Sequence, residues 1–329
     1  MIKYATVGTS WITESFINGC RLLGDRLCLA GVYSRDAEKG KQFGQRFGCS
    51  KVYTDLEALA ESAEIDAVYI ASPNAFHYSQ SKLLLTAGKH VICEKPITVT
   101  PDELEELQGL ARSKGVVYME ALMARHLPAW NAVLSELENL GRISHVRFDF
   151  SQRSSKYDGL LAGVHQNIFD PKMAAGALMD LGIYCVYPAL GWFGEPDSIY
   201  AYCRKLSTGA DGEGGAVLRF KALTAELSWS KTGESRIGSE IIGDNGTLII
   251  PSISKLTNIR LIHKDGTEKQ ITAELDKPRL MSYEADKFYK YITEPGTFAS
   301  DLASANELAL SVSKAMCEIR RQSGIAFDM

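Results

Sequence analysis

The feature that most constrains this chain is a rhythm: from Met1 to Met119, short runs of β-forming residues alternate with stretches of helical periodicity. Such alternation reads as βαβ units, because parallel neighbours need a crossover long enough to hold a helix. Strands are expected at 2–7, 27–34, 51–53, 67–71, 90–93 and 116–119. Helices are expected at 11–22, 36–47, from Leu56, through Leu83, and from Thr100-Pro101, where proline suits the first turn; Asp36 supplies an acidic cap. Six short strands with helices between them predict an open, doubly wound parallel sheet.

After Glu120 the pattern changes. A helix over 127–140 leads to 143–150, whose alternation marks a strand with one buried face. A loop-rich stretch, 151–175, precedes a helix from Ala177, and 198–272 is almost all strands and tight turns. Asp211-Gly212, Asp244-Asn245-Gly246 and Lys264-Asp265-Gly266 carry the turn chemistry. Two late helices, 282–292 and 302–322, close the chain. The fold expected is an α/β Rossmann domain over 1–122, followed over 123–329 by an α+β domain with a large, mainly antiparallel open sheet.

A chain of 329 residues has room for two such cores. Its net charge of −4 provides no positive field for phosphate backbones or anionic lipid, so neither nucleic acid nor membrane is expected as a partner. The N-terminal MIKYATVGTS has no apolar core of a secretory signal, and the most apolar stretch, Leu178 to Leu190, is interrupted by Asp180, Gly182 and Pro188. Seven scattered cysteines, never paired as CxxC, point to reduced thiols in the cytoplasm, with no metal site.

The first strand runs into Val7-Gly8-Thr9-Ser10-Trp11-Ile12-Thr13. A dinucleotide-binding turn would place G-x-G-x-x-G there, opening a helix whose N-terminus faces pyrophosphate. Only the first glycine is present; Ser10 and Thr13 stand at the other two places, both small enough for close packing. Gly8, Thr9, Ser10, Trp11 and Ile12 are therefore candidate cofactor-binding residues. An ordinary strand-to-helix turn would need only that glycine too. The second strand ends in Ser34-Arg35, where an acidic residue would bind the ribose 2'-hydroxyl of NAD. A hydroxyl followed by a guanidinium suits a 2'-phosphate, so NADP is preferred, with NAD the alternative.

The fourth strand ends in Ser72-Pro73-Asn74, with His77 just beyond, and the fifth in Glu94-Lys95-Pro96. Ligands of open α/β sheets bind outside the carboxyl ends of the strands, so these polar groups converge on one crevice. With Glu120-Ala121, Arg125, Pro128 and the run Gly176 to Gly182, they occur in the order of the glucose-fructose oxidoreductase / inositol dehydrogenase (Gfo/Idh/MocA) family, which the whole chain resembles. The resemblance implies an NAD(P)-dependent dehydrogenase of a sugar, polyol or cyclic trans-diol, with Lys95 beside the nicotinamide. Many members have Asp-x-x-x-His in the last motif. Here Asp180-Leu181-Gly182-Ile183-Tyr184 puts Tyr184 at the histidine place, similar to the dimeric dihydrodiol and D-xylose dehydrogenases.

Positions four apart on an α-helix share a face, so Asp180 and Tyr184 are expected to project together. A phenol ordinarily titrates near about pH 10, and a neighbouring ammonium lowers that. Lys95, Tyr184 and Asp180 are thus the candidate catalytic residues. Lys156, Tyr157, Asn167 and Phe169, in the loop ahead of that helix, are candidates for the substrate wall, since hydroxylated ligands need polar groups and a ring face.

Two further readings stay open: a dinucleotide-sensing protein that has the fold without the chemistry, and a sugar-sugar oxidoreductase that retains its NADP tightly. A broad antiparallel sheet with few helices leaves one face to bury, which predicts a homodimer.

Overall fold

The structure, a computed structural model, describes residues 1–327. Its first eleven elements alternate: β1 (Ile2–Val7), α1 (Trp11–Arg21), β2 (Leu27–Tyr33), α2 (Ala37–Arg46), β3 (Val52–Tyr53), α3 (Leu56–Glu61), β4 (Ala67–Ile70), α4 (His77–Thr86), β5 (His90–Glu94), α5 (Pro101–Lys114) and β6 (Tyr118–Ala121). Next come α6 (Met123–His126), α7 (Pro128–Glu136), β7 (Ile143–Ser151), α8 (Tyr157–Leu161), a π-helical turn at Leu178–Gly182 and α9 (Ile183–Phe193). Seven strands follow: β8 (Ser198–Lys205), β9 (Asp211–Arg219), β10 (Thr224–Ser230), β11 (Ser239–Gly243), β12 (Gly246–Ile250), β13 (Arg260–His263) and β14 (Glu268–Gln270). Helices α10 (Lys277–Thr293) and α11 (Pro295–Ser323) complete the order.

The chain forms two compact units. In the first, all strands pair in parallel in the order β3-β2-β1-β4-β5-β6. Successive crossovers run outward in one direction from β1 and in the other from β4, so the winding reverses between them and leaves a crevice at their carboxyl ends. Helices on both faces require strands without a wet side. Accordingly, every residue of β4 is buried, as are Val91, Ile92 and Cys93 of β5.

This unit holds residues 1–123 together with 276–310. The second therefore does not run unbroken from 123 to 329 as the sequence reading had it; the chain returns to the first. The physical reason is α10, whose apolar stripe of Met281, Ala285 and Phe288 is buried. It packs on α1 so closely that a Cβ at Gly19 would stand 2.7 Å from Met281 Cβ. A glycine inside a helix costs roughly 1 kcal/mol relative to alanine, and here it provides that close approach.

The second unit holds 124–275 and the residues from Ser311 onward. Its sheet has the order β14-β13-β12-β11-β7-β10-β9-β8 and is antiparallel except where β10 runs parallel to β7. One row across six strands, Leu218, Ala225, Val146, Ile241, Leu248 and Leu261, is wholly buried. The turns at 244–246 and 264–266 fall as expected, but Asp211 is not in a turn. The chain reverses over Leu206–Ala210, closed by Leu206 N–H to Ala210 O at 2.8 Å, and Asp211 begins β9, fully buried.

The helical stretch Pro171–Phe193 is long and apolar enough to cross a membrane, contrary to the sequence reading. It is a core element, with 78% of its most apolar 18-residue window buried inside the protein.

Candidate active site

The first unit brings its predicted residues to the carboxyl ends of β1, β2, β4 and β5. Gly8 follows β1 with φ +109°, a backbone that L side chains rarely adopt, and an added Cβ would lie 2.7 Å from the carbonyl oxygen of Ala71 at the end of β4. The turn then opens α1, with Ser10 exposed at its N-cap and the Trp11 ring projecting outward at 71% exposure. Thr9 and Ile12 are half-buried beside them.

Capping distinguishes the crossover helices. Asp36, Asp55 and Thr100 each accept a backbone N–H at the start of α2, α3 and α5. Neither α1 nor α4 has a side-chain cap. The two differ, however: α4 continues from a 3-10 turn at Asn74–Phe76, where His77 N–H donates to Asn74 O, whereas α1 opens straight from the turn after β1 at the reversal, so its first-turn N–H groups suit a dinucleotide phosphate. With the space that only glycine leaves at Gly8, this set of residues fits a dinucleotide.

Ser34 and Arg35 follow β2; Ser34 Oγ accepts the N–H of Asp36 at 3.3 Å. The Arg35 side chain is exposed, with no ion-pair partner among the described residues. After β4, Ser72 donates to Gln80 Oε1 at 2.7 Å, while Pro73 and Asn74 remain half-buried.

His77 differs from expectation. It is fully buried, with Nδ1 2.8 Å from Pro96 O and Nε2 2.9 Å from Ser72 O. Burial pushes its pKa down against the pull of those two carbonyls. Its ring therefore clamps the loop after β4 to the loop after β5 and does not offer a surface to the cofactor.

The Glu94-Lys95-Pro96 loop includes a cis bond between Lys95 and Pro96. Beneath it, Tyr69 Oη donates to Glu94 Oε1 at 2.5 Å, and Ile97 N–H to Glu120 Oε1 at 2.9 Å. Burial raises the Glu94 carboxyl, opposed by the Tyr69 hydrogen bond and by Lys95 and Lys277. Glu94 itself is half-buried, with one carboxylate oxygen held by Tyr69. Close by, Glu284 on α10 is 1% exposed, and neither of its oxygens has a hydrogen-bond partner among the described residues. No motif flagged it, yet it interrupts the apolar stripe of Met281, Ala285 and Phe288, which is a readable signal.

In the second unit, the helix carrying Asp180 and Tyr184 does not start as an α-helix. Ile183 N–H bonds Leu178 O, five residues back, so the spacing argument made for a regular helix does not apply across this turn. Asp180 Oδ2 is ion-paired with Nζ of Lys231, just beyond β10. The Tyr184 ring meets Phe150 of β7 edge-on, with centroids 5.4 Å apart.

Of the expected substrate wall, Lys156 and Asn167 are exposed and Tyr157 half-buried. Phe169 is corrected: it is fully buried, with the Tyr157 ring 6.2 Å above it and Lys231 Nζ 5.8 Å from its own ring. It supports that wall from below. Lys231 belongs to no motif, although strand parity marks it, since Ala225, Leu227 and Trp229 all point inward and 231 continues the series.

A doubly wound sheet with a glycine turn at its reversal, joined to a broad antiparallel sheet, defines the class of two-domain dinucleotide-binding proteins. The oxidoreductase family with an NAD-binding Rossmann fold, GFO/IDH/MocA, matches residues 2–122, and the C-terminal domain of the same family matches 134–249; the chain belongs to this family.

The chain is 37% identical over 327 residues to scyllo-inositol 2-dehydrogenase (NADP(+)) IolU of Bacillus subtilis, covering 99% of this chain and 98% of that protein. It is 33% identical over 224 residues to trans-1,2-dihydrobenzene-1,2-diol dehydrogenase of Bos taurus, 67% of this chain and 64% of that one. The fold is shared with KijD10, a 3-ketoreductase from Actinomadura kijaniata solved with NADP and TDP-benzene. Its TM-score is 0.82 at 21% identity, covering 98% of each chain.

Proposed function

We propose that this oxidoreductase is an NADP-dependent dehydrogenase acting at a carbinol or anomeric carbon of a sugar, polyol or cyclic trans-diol. The observation that carries the reading is the convergence of the Gly8 turn, the uncapped start of α1 and the Glu94-Lys95-Pro96 loop on the reversal point of one parallel sheet. The full-length likeness to a protein named as an NADP(+)-dependent inositol dehydrogenase supports the substrate class, and Ser34-Arg35 supports the cofactor.

A bound nicotinamide supplies the hydride acceptor; the residues of this chain provide position, proton transfer and exclusion of water. Tyr184, acting as the phenolate, takes the proton of the substrate hydroxyl onto Oη as the C–H electron pair leaves the same carbon, and the C–O bond becomes a carbonyl. Lys95 Nζ stabilises the negative charge that this places on oxygen. Asp180 accepts a hydrogen bond from a substrate hydroxyl, and Lys156, Tyr157 and Asn167 face the sugar or diol.

The enzyme acts as a cytoplasmic homodimer. In support, its described cysteines are all free, and the second face of the eight-stranded sheet is built for contact. Tyr200 and Tyr202 stand there on the edge strand β8 at 59% and 67% exposure, and nearer the middle of the sheet β7 and β11 form a cross-strand pair of opposite charge, Arg147–Glu240 at 3.1 Å. A face that mixes exposed rings with both signs of charge suits a self-complementary contact about a two-fold axis.

The test is a panel of inositols, aldoses and trans-dihydrodiols, each assayed with NADP and with NAD, on the parent and on Tyr184→Phe. Turnover of a polyol or diol with preference for NADP is expected, as is a loss of about 100-fold or more in kcat for the variant with NADPH binding intact. An unaltered rate removes Tyr184 from the mechanism. NADPH binding with no turnover of any substrate replaces the enzyme with a sensor.

A further inference from the structure

The turn that carries Asp180 is held to its sheet by two buried polar side chains, Asp211 and Lys231. Asp211, fully buried at the start of β9, accepts the N–H of Leu178 on Oδ2 at 2.6 Å. Lys231 reaches Asp180 Oδ2 from the other side, with its side chain only 2% exposed. The lysine backbone is fixed as well, its N–H donating to Gly212 O at 2.8 Å and its carbonyl accepting from Ser154 N–H at 2.9 Å. Its ammonium lies 5.8 Å from the centre of the buried Phe169 ring.

A lysine here is a poor choice for stability alone. Desolvating an ammonium is costly, and apolar residues of similar volume commonly serve a fold as well or better than a buried ion pair. The inward positions before it, Ala225, Leu227 and Trp229, are all apolar. The pair is also asymmetric: the cation is enclosed, while the Asp180 side chain is 36% exposed. A carboxylate offers about four acceptor sites, so the ammonium contact at Oδ2 holds one oxygen of the group without occupying all of them. Asp180 stands in the π-helical turn at 178–182, and Lys231 contacts it from outside that turn.

Building on the proposed role of Asp180, we propose that Lys231 is a positioning residue: it anchors one oxygen of the Asp180 carboxylate so that the group stays aimed at a substrate hydroxyl. Lys231 acts through Asp180 and meets neither substrate nor cofactor.

The experiment uses the full chain as Lys231→Met, Lys231→Arg, Asp180→Asn and the Asp180→Asn/Lys231→Met double variant. The readouts are kcat and KM on the best polyol or diol, the NADPH dissociation constant and the Tm. Lys231→Met is expected to lose roughly 100-fold in kcat/KM, the scale of a small misplacement of a reacting group, with NADPH affinity unchanged. Lys231→Arg is expected to restore part of the loss, and the double variant to be no worse than Asp180→Asn.

Losses that multiply in the double variant, or a Lys231→Met rate within about threefold of the parent, overturn the proposal. If Lys231→Met fails to fold, Lys231→Arg with Asp180→Asn carries the same test: a loss that vanishes in the Asp180→Asn background supports it, and an additive loss overturns it. An Asp180→Asn variant as fast as the parent removes Asp180, and Lys231 with it, yet leaves the dehydrogenase reading standing. A parent that turns nothing over sinks both.

Discussion

Gly8→Ala tests whether the reversal point is shaped for a dinucleotide. The new methyl carbon would stand 2.7 Å from the carbonyl oxygen of Ala71, where ordinary contact begins at 3.4 Å, so β1 and β4 must part by the difference, about 0.7 Å. The obstacle is backbone, and cannot rotate away. Ala71 N–H is bonded to Val7 O at 2.8 Å, so parting the strands also stretches that bond. A non-glycine residue at such a φ costs about 1–3 kcal/mol, and a weakened backbone hydrogen bond about 0.5–1.5 kcal/mol.

If the chain relieves the collision by displacing the turn after β1, the uncapped start of α1 moves with it. NADPH affinity should then fall at least about tenfold, equivalent to about 1.4 kcal/mol, with a lowered Tm. Gly24→Ala is the control: Gly24 also has positive φ, +65°, but nothing lies within 4 Å of its added Cβ. It should lower Tm through backbone strain and leave NADPH binding alone. Fluorescence titration with NADPH and thermal melts of both variants decide the matter. Equal affinity in Gly8→Ala and the parent refutes the assignment of this turn to the cofactor, whatever the Tm does.

Two further outcomes are expected. Burial, then the charge of Glu94, raises the Glu284 carboxyl well above its ordinary range; Lys277 opposes this and Glu120 adds to it. The folded state therefore holds a proton that the unfolded chain releases above about pH 4.3, so this group's contribution to stability declines as pH rises through the raised value. Glu284→Met should gain more in Tm at pH 8 than at pH 5, and a gain independent of pH contradicts the reasoning. Tyr202→Glu, which places like charges opposite one another across a two-fold contact, should shift the protein from twice the chain mass toward the chain mass in sedimentation; a parent that already sediments as a monomer refutes the dimer.

The parallel sheet was legible because every crossover is local. β-rich runs, acidic caps and the Thr100-Pro101 helix start each announce themselves within a few residues, and Thr100 and Glu103 do form a reciprocal capping box. The return of 276–310 to the first unit was not legible, because the docking of α10 on α1 depends on Gly19 meeting Met281, a pairing that no local pattern encodes. The π-helical turn was hidden for a related reason: one wider turn changes no residue type, yet it voids the spacing argument for Asp180 and Tyr184. The residue types of His77 and Phe169 suit a cofactor crevice and a substrate wall, whereas their burial is set by neighbours far along the chain.

What periodicity did contain was its own exceptions. Lys231 stands at an inward strand parity and Glu284 within an apolar helical stripe, each a charge where the pattern demands a hydrocarbon. A fold tolerates such groups only when a partner or a proton neutralises them. Lys231 has Asp180; burial favours the protonated form of Glu284. Misplaced charges of this kind therefore mark the supporting structure of a site more directly than its motifs do, since motifs identify the groups that meet the ligand and leave out those that hold them still.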